Sequence, residues 1–277
     1  MRRAWTELEQ NDGWAIASHI ALNILLALFP FLIFLTALAS FFGSKELADT
    51  VILILFEAWP QNVAAPLAEE TRRVLTGQRG DLLTIGGALA LFFASSGVEA
   101  LRSGLNRAYG VVEKRSFLNL RLQSLAFVLV GAAGLLAFAF LIVLGPAAWD
   151  QLARFVPEAA EWRPSFDLIR FGGSGVALAA ALVLAHTWLP AGPRPFNTVI
   201  PGIVLTIALW LAAGAAFGFY LARFSTYAST YAGFASAMIA LVFLYFLALI
   251  FLFGAELNDA LSQSTESEAD PAETGAG

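Results

Sequence analysis

Cysteine is absent from the 277-residue sequence, which excludes a disulfide framework, a thiolate metal site and a cysteine nucleophile. Histidine occurs twice, as His19 and His186, each inside an apolar run, too few for the multi-imidazole centre that a metallohydrolase needs. Charge is scarce too. Asp, Glu, Lys and Arg make up 13% of the residues, against about 25% in an ordinary soluble domain, so half of the charge that coats a water-facing surface is missing. The net charge of −5 argues against a nucleic-acid partner, because surfaces that neutralise phosphates are usually basic. Catalytic templates are missing as well: the sequence contains no G-x-S-x-G, no H-E-x-x-H, no Walker A and no dinucleotide fingerprint. A chain without these parts is not expected to be an enzyme or to hold a cofactor or metal. Ser95 or Ser96 with His186 is the one pair resembling an intramembrane serine protease, and it is a poor candidate.

What is abundant is apolar surface. Hydrophobic residues reach 58%, with a mean hydropathy of +0.72. A helix crossing about 30 Å of hydrocarbon needs roughly 20 mostly apolar residues. Six stretches meet this, at 16–42, 82–101, 122–144, 166–189, 199–221 and 235–257, so an all-α polytopic bundle of six transmembrane helices is expected. Between residues 43 and 81 no span fits. Val51, Leu55 and Trp59 recur at helical spacing beside Glu46, Asp49 and Glu57, which predicts amphipathic surface helices broken at Pro60 and Pro66. Arg2 and Arg3 before an apolar run ending in Ala37-Leu38-Ala39 imitate a signal peptide, but the run is too long for a signal core and Glu7, Glu9 and Asp12 precede it, so retention is expected. Residues 1–261 thus form one membrane domain, and residues 262–277, acidic and without a large apolar side chain, are expected to be disordered.

Lys and Arg near the spans divide evenly between the two sides. Density breaks the tie: the connection around residues 102–121 carries five positive charges, which favours both termini on the cytoplasmic side. Trp14, Trp59, Trp149, Trp162 and Trp188 fall at span ends or flanking segments and read as headgroup-level anchors. Gly214 and Gly218 form a small-xxx-small pair that predicts close helix approach.

An ionisable side chain at membrane depth costs about 2.5–3.5 kcal/mol on insertion scales, so each asks for a partner, a wet cavity or an interface. Ser95, Glu99, Arg102 and Asn106 are spaced by four, three and four residues and share one helix face. The stripe has two readings, an intrahelical Glu99–Arg102 ion pair or the lining of a polar cavity. Arg121, Glu256 and Asn258 lie near the same boundary and, with Arg107, complete the candidate cavity or headgroup-binding set. His19 reads as a buried, hydrogen-bonded residue rather than a ligand. Pro30 and Pro201 each remove a helical donor and mark possible kinks. The Ser, Thr and Tyr run ARFSTYASTYAGFASA after the fifth stretch reads either as a vestibule or as an interfacial re-entry.

Four segments carry a resemblance. ALNILLALFPFLIFLTAL (21–38), SSGVEALRSGLNRAYGVVEKRSF (95–117), LPAGPRPFNTVIPG (189–202) and the stretch 220–258 ending in FGAELN resemble the YihY/virulence factor BrkB family of bacterial inner-membrane proteins, formerly labelled ribonuclease BN. The resemblance implies six spans with both termini cytoplasmic, and a role in envelope biogenesis or lipid-precursor transport. The ribonuclease label fits poorly, since neither a metal-ligand cluster nor a basic RNA groove is present. Two functions remain open: a transporter for an anionic lipid or lipid-linked precursor, whose headgroup the arginines hold, or a scaffold for envelope assembly in which the same charges pin the bundle.

Overall fold

The computed structural model describes residues 1–41, 80–139, 141–142, 145–192, 194–224 and 232–269. The expected surface helices between 43 and 81 therefore lie outside the described residues, as does most of the Ser/Thr/Tyr run. The elements are α1 (Arg2–Gln10), α2 (Gly13–Phe41), α3 (Gly80–Ala108), α4 (Phe117–Ala139), α5 (Gly145–Phe155), a 3-10 segment (Pro157–Trp162), α6 (Arg163–Trp188), α7 (Phe196–Phe224) and α8 (Ala232–Ala269). Six of them, α2, α3, α4, α6, α7 and α8, are long and apolar enough to cross a membrane, and no strand occurs among the described residues.

Hydropathy marks only the apolar part of each helix. Helical hydrogen bonding continues into polar sequence, so α3 runs on through Glu99, Arg102 and Asn106 to Ala108 and α4 already begins at Phe117, before Arg121. The sixth span likewise passes the expected boundary at 262 and reaches Ala269. Ser262 and Ser264 bond back to the carbonyls of Asn258 and Ala260, and Gln263 meets Arg3, so residues 262–264 are held by local bonds and by α1.

α1 is an amphipathic helix separated from α2 by a sharp turn. Its Ala4 and Leu8 are buried, and Ala4 packs with Leu257 and Ala260 of α8. At the turn Asp12 takes φ 55, a conformation that Asp tolerates better than most side chains. A Cβ at Gly13 would strike the Leu8 side chain and carbonyl, so the small residue allows the reversal. An even number of crossings and the α1–α8 contact put both chain ends at one end of the bundle, called here the terminal end.

Close packing is built on small residues, though not on those the sequence first singles out. On α3, Gly86 and Gly87 lie against Ile33 and Phe34 of α2, Gly97 against Asn23, and Gly104 against Ile16 and Leu252. At the α7–α8 crossing a Cβ on Gly202 would fall on the Gly254 carbonyl and the Asn258 amide. A Cβ on Gly214 or Gly218 instead meets nothing within 4 Å among the described residues, so no close approach to a described helix is made there.

The main core sits in the terminal half. It joins Leu8, Ala17 and Ile20 to Ala100, Leu105 and Tyr109 of the α3 end, Leu182 and Leu189 at the end of α6, Val199 and Ile203 at the start of α7, and the 248–255 stretch of α8. Away from that end the bundle loosens. Residues 133–138 of α4 are all exposed, and on α6 residues 171–173 and 175–178 are exposed around the buried Ser174. The two helices meet where Gln123 Nε2 donates to the Trp188 carbonyl at 2.5 Å, and touch little elsewhere.

Candidate functional site

The terminal end gathers three polar clusters. In the first, Arg102 projects from α3 toward the start of α4, donating to the Leu120 carbonyl (3.3 Å) and to Ser124 Oγ (3.1 Å), with Glu113 at 3.9 Å. Glu113 belongs to the α3–α4 loop and is the hub: it accepts from Asn106 Nδ2 (3.1 Å) and from Arg115 Nε (2.8 Å) and Nη2 (2.7 Å). These Arg115 bonds hold the Glu113 carboxyl down at about 2, and the carboxylate in turn raises Arg115. Arg115 also donates to the Leu189 carbonyl (2.9 Å), and Asn106 Oδ1 accepts from the Ala191 amide (2.7 Å). The α3–α4 and α6–α7 loops are thereby stitched together.

The second cluster runs across the core. Tyr109 OH lies 2.7 Å from His186 Nδ1 and accepts from Asn258 Nδ2 at 3.4 Å, while Asn258 Oδ1 accepts the Gly202 amide at 2.6 Å. Burial pushes the Tyr109 hydroxyl up to about 12, so it stays neutral. Arg194 covers the Tyr109 ring at 4.1 Å, donates to its carbonyl and pairs with Asp259. The Gly202–Gly254 crossing makes this possible, since it brings the α8 backbone near enough for Asn258 to reach α7. The third cluster is small. Glu256, 2% exposed, accepts from Asn11 Nδ2 at 2.9 Å through one oxygen and has no hydrogen-bond partner on the other.

The sequence-derived set is thus divided. Arg102 and Asn106 share the Glu113 hub, Asn258 sits in the Tyr109 chain, and Glu256 lies under α1. The Glu99–Arg102 pair is not formed: Glu99 accepts from Arg121 of α4 at 3.1 Å, on a partly exposed flank where Arg121 also lies over the Phe92 ring. Consecutive turns of one helix aim Glu99 outward and Arg102 inward, and each finds its partner on another segment. Ser95 is buried but bonds back to the Phe92 carbonyl, and Arg107 reaches Asp12 at 2.9 Å on the exposed side. His19 is exposed, contrary to expectation, and it is Asn23 beside it that is buried, bonded to the His19 carbonyl. Ser95 and His186 have separate partners, which leaves the protease pairing unformed.

Sequence reasoning missed Tyr109, Glu113, Arg115, Ser124 and Arg194, and weighed His186 only as a protease partner. Their signal was available only as polar residues at loop edges, since the contacts link segments as many as 149 positions apart. An open pocket of about 490 Å³ lies between the stitched loops, lined by residues 110–115 with Ala191 and Gly192. Lys114 is its exposed cation. Among the described residues no cluster of three or more His, Asp or Glu side chains offers a metal site.

Comparison with known proteins places this architecture. The chain is 26% identical over 261 residues to the Bacillus subtilis protein named "Putative ribonuclease-like protein YfkH", covering 94% of each. It is 26% identical over 265 residues to a UPF0761 membrane protein of Rhodospirillum centenum, covering 95% of this chain and 57% of that one. A UPF0761 membrane protein of Legionella pneumophila is also 26% identical, over 91% of this chain and 59% of its own. The chain therefore spans nearly all of the first relative and somewhat more than half of the other two. No solved structure matches. With a family profile for virulence factor BrkB matching residues 4–276, and six helices able to span a bilayer, the chain is an integral membrane protein that belongs to the virulence factor BrkB family.

Proposed function

We propose that the protein carries an anionic lipid or lipid-linked envelope precursor across the bacterial inner membrane, with both termini in the cytoplasm. One observation carries the reading: the spans are sealed at the terminal end by core and polar bonds, while α4 and α6 diverge toward the other end. Lipid chains fill such a gap from the side, as a lipid substrate requires, whereas a rigid scaffold gains nothing from it. The clusters around Glu113 and Tyr109 then act as the cytoplasmic gate, a set of exchangeable hydrogen bonds rather than a solid apolar plug. Arg102 and Arg121 are the forks able to take phosphate oxygens once released from Ser124 and Glu99, and Lys114 marks the pocket beyond the gate.

The test is headgroup translocation in proteoliposomes containing a fluorescent-headgroup phosphatidylglycerol. The wild type is expected to exceed protein-free vesicles, and Arg102→Lys, which keeps the charge but not the fork, to lose most of the rate while remaining folded. No translocation above protein-free vesicles overturns the reading. A scaffold role in envelope assembly is the second reading, favoured by the fact that Arg102, Arg107 and Arg121 are each already bonded within the chain.

A further inference from the structure

At the end opposite the termini, α5 and the first two turns of α6 form a corner that the transport reading does not use. Trp149 of α5 stacks on Phe166 of α6, with ring centroids 4.4 Å apart and planes 21° apart. One turn further along α6, the Arg170 guanidinium lies 6.0 Å from the same Phe166 ring and 4.3 Å from the Phe171 ring. Its side chain is only 11% exposed. Trp149 Nε1 and Arg170 Nε and Nη1 are buried hydrogen-bond donors with no partner.

The nearest carboxylate, Asp167, forms an ion pair with Arg170 but no hydrogen bond, and its own Oδ1 is buried without a hydrogen-bond partner. Asp167 Oδ1 stands 3.6 Å from Arg170 Nη2, beyond hydrogen-bond range, and Asp167 Oδ2 is taken by Arg163, which also binds Asp150. Arg170 therefore makes no side-chain hydrogen bond among the described residues. A buried donor without an acceptor is unfavourable in any protein and more so in a bilayer, where water is scarce. Arg170 is seven residues into α6, about 10 Å along its axis from the start, so its long side chain lies within reach of headgroups at that end of the span. The acceptor that abounds there is a phosphate oxygen, and an Arg fork with an indole N–H beside it is a donor set suited to one.

We propose that the Trp149–Arg170 corner binds a phosphate oxyanion, as the headgroup of an anionic lipid in the leaflet opposite the termini or as free phosphate. Phe166 touches both groups, with the indole stacked on its ring and the guanidinium 6.0 Å from its centroid. The corner is separate from the gate at the terminal end, and the proposal concerns occupancy, not movement.

The experiment is a binding titration of the purified full-length chain in neutral detergent, using dihexanoyl phosphatidylglycerol in one arm and inorganic phosphate in the other. The wild type is expected to bind the lipid saturably, with Arg170→Gln weakening it about tenfold or more, since charged hydrogen bonds are lost. Trp149→Phe keeps the stack on Phe166 and removes only the N–H, so a smaller weakening is expected. Competition by inorganic phosphate at similar concentrations identifies a free-phosphate site, and binding by the lipid alone identifies a headgroup site. If Arg170→Gln does not fold, Trp149→Phe decides. Wild-type affinity in both variants, or no saturable binding in either arm, overturns the proposal. Because occupancy is read without translocation, that outcome leaves the transport reading standing, and a failed translocation assay leaves this one standing.

Discussion

Tyr109 joins three helices through one hydroxyl, with His186 of α6 on one side and Asn258 of α8 on the other. His186 and Asn258 are both fully buried, so neither can turn to water. Tyr109→Phe keeps the ring under Arg194 but leaves two buried polar groups short of a partner, which typically costs about 1–3 kcal/mol. A clear fall in the unfolding temperature of the detergent-solubilised variant is expected, and an unchanged value would mean that water replaces the hydroxyl. Glu113 makes a pH-dependent contribution of known sign. Its folded value of about 2 lies below the ordinary 4.5 because of Arg115, so the unfolded chain binds the proton more readily. The stabilisation is complete above about pH 4.5 and is lost as the pH falls toward about 2. Glu113→Gln should be less stable than wild type at neutral pH and should flatten the decline between pH 5 and 2.5, as followed by thermal unfolding across that range.

Helix pairs depend on a few close crossings. At Gly202 an added methyl group has nowhere to go, since the neighbours are the Gly254 backbone and the Asn258 amide that caps the Gly202 N–H. Gly202→Ala must push α7 from α8 and break the Asn258 bond at once, so a loss beyond the usual 1–3 kcal/mol or so of overpacking is expected. Gly214→Ala and Gly218→Ala, which meet open space, should stay within about 0.5 kcal/mol of wild type. Comparing unfolding temperatures of the three variants checks which crossing holds the pair. The α3–α4 contact is tested by double-mutant cycles. Arg121→Ala and Glu99→Ala should be coupled, by less than about 1 kcal/mol because the pair is partly exposed. Arg102→Ala should couple to Glu99→Ala through charge alone, without a shared hydrogen bond, since its hydrogen bonds go to Ser124 and the Leu120 carbonyl.

The absence of native cysteine allows the arrangement of the whole molecule to be read with single introduced thiols. Lys114→Cys should react with a membrane-impermeant maleimide from the side that holds the N-terminus, and Glu161→Cys from the opposite side, since an odd number of spans separates them. Labelling of both from one side would contradict the six-span order.

Number of spans, helical class and membrane residence were legible from the sequence because they rest on local quantities, namely runs of apolar residues long enough to cross hydrocarbon and the lack of charge to coat a soluble surface. The polar stripe from Ser95 to Asn106 was legible for the same reason, since its spacing is set by the turn of one helix. Its pairing was not. Glu99 and Arg102 are near neighbours along the chain, yet tertiary packing gives Glu99 to Arg121 and Arg102 to Ser124, because which face of α3 meets α4 depends on where Gly86, Gly97 and Gly104 let α2 and α8 approach. The Tyr109–His186–Asn258 chain and the unpaired donors beside Phe166 follow the same logic. The first joins segments far apart in sequence and the second sets α5 against α6, so only the packed bundle determines which polar groups are satisfied and which are left without a partner.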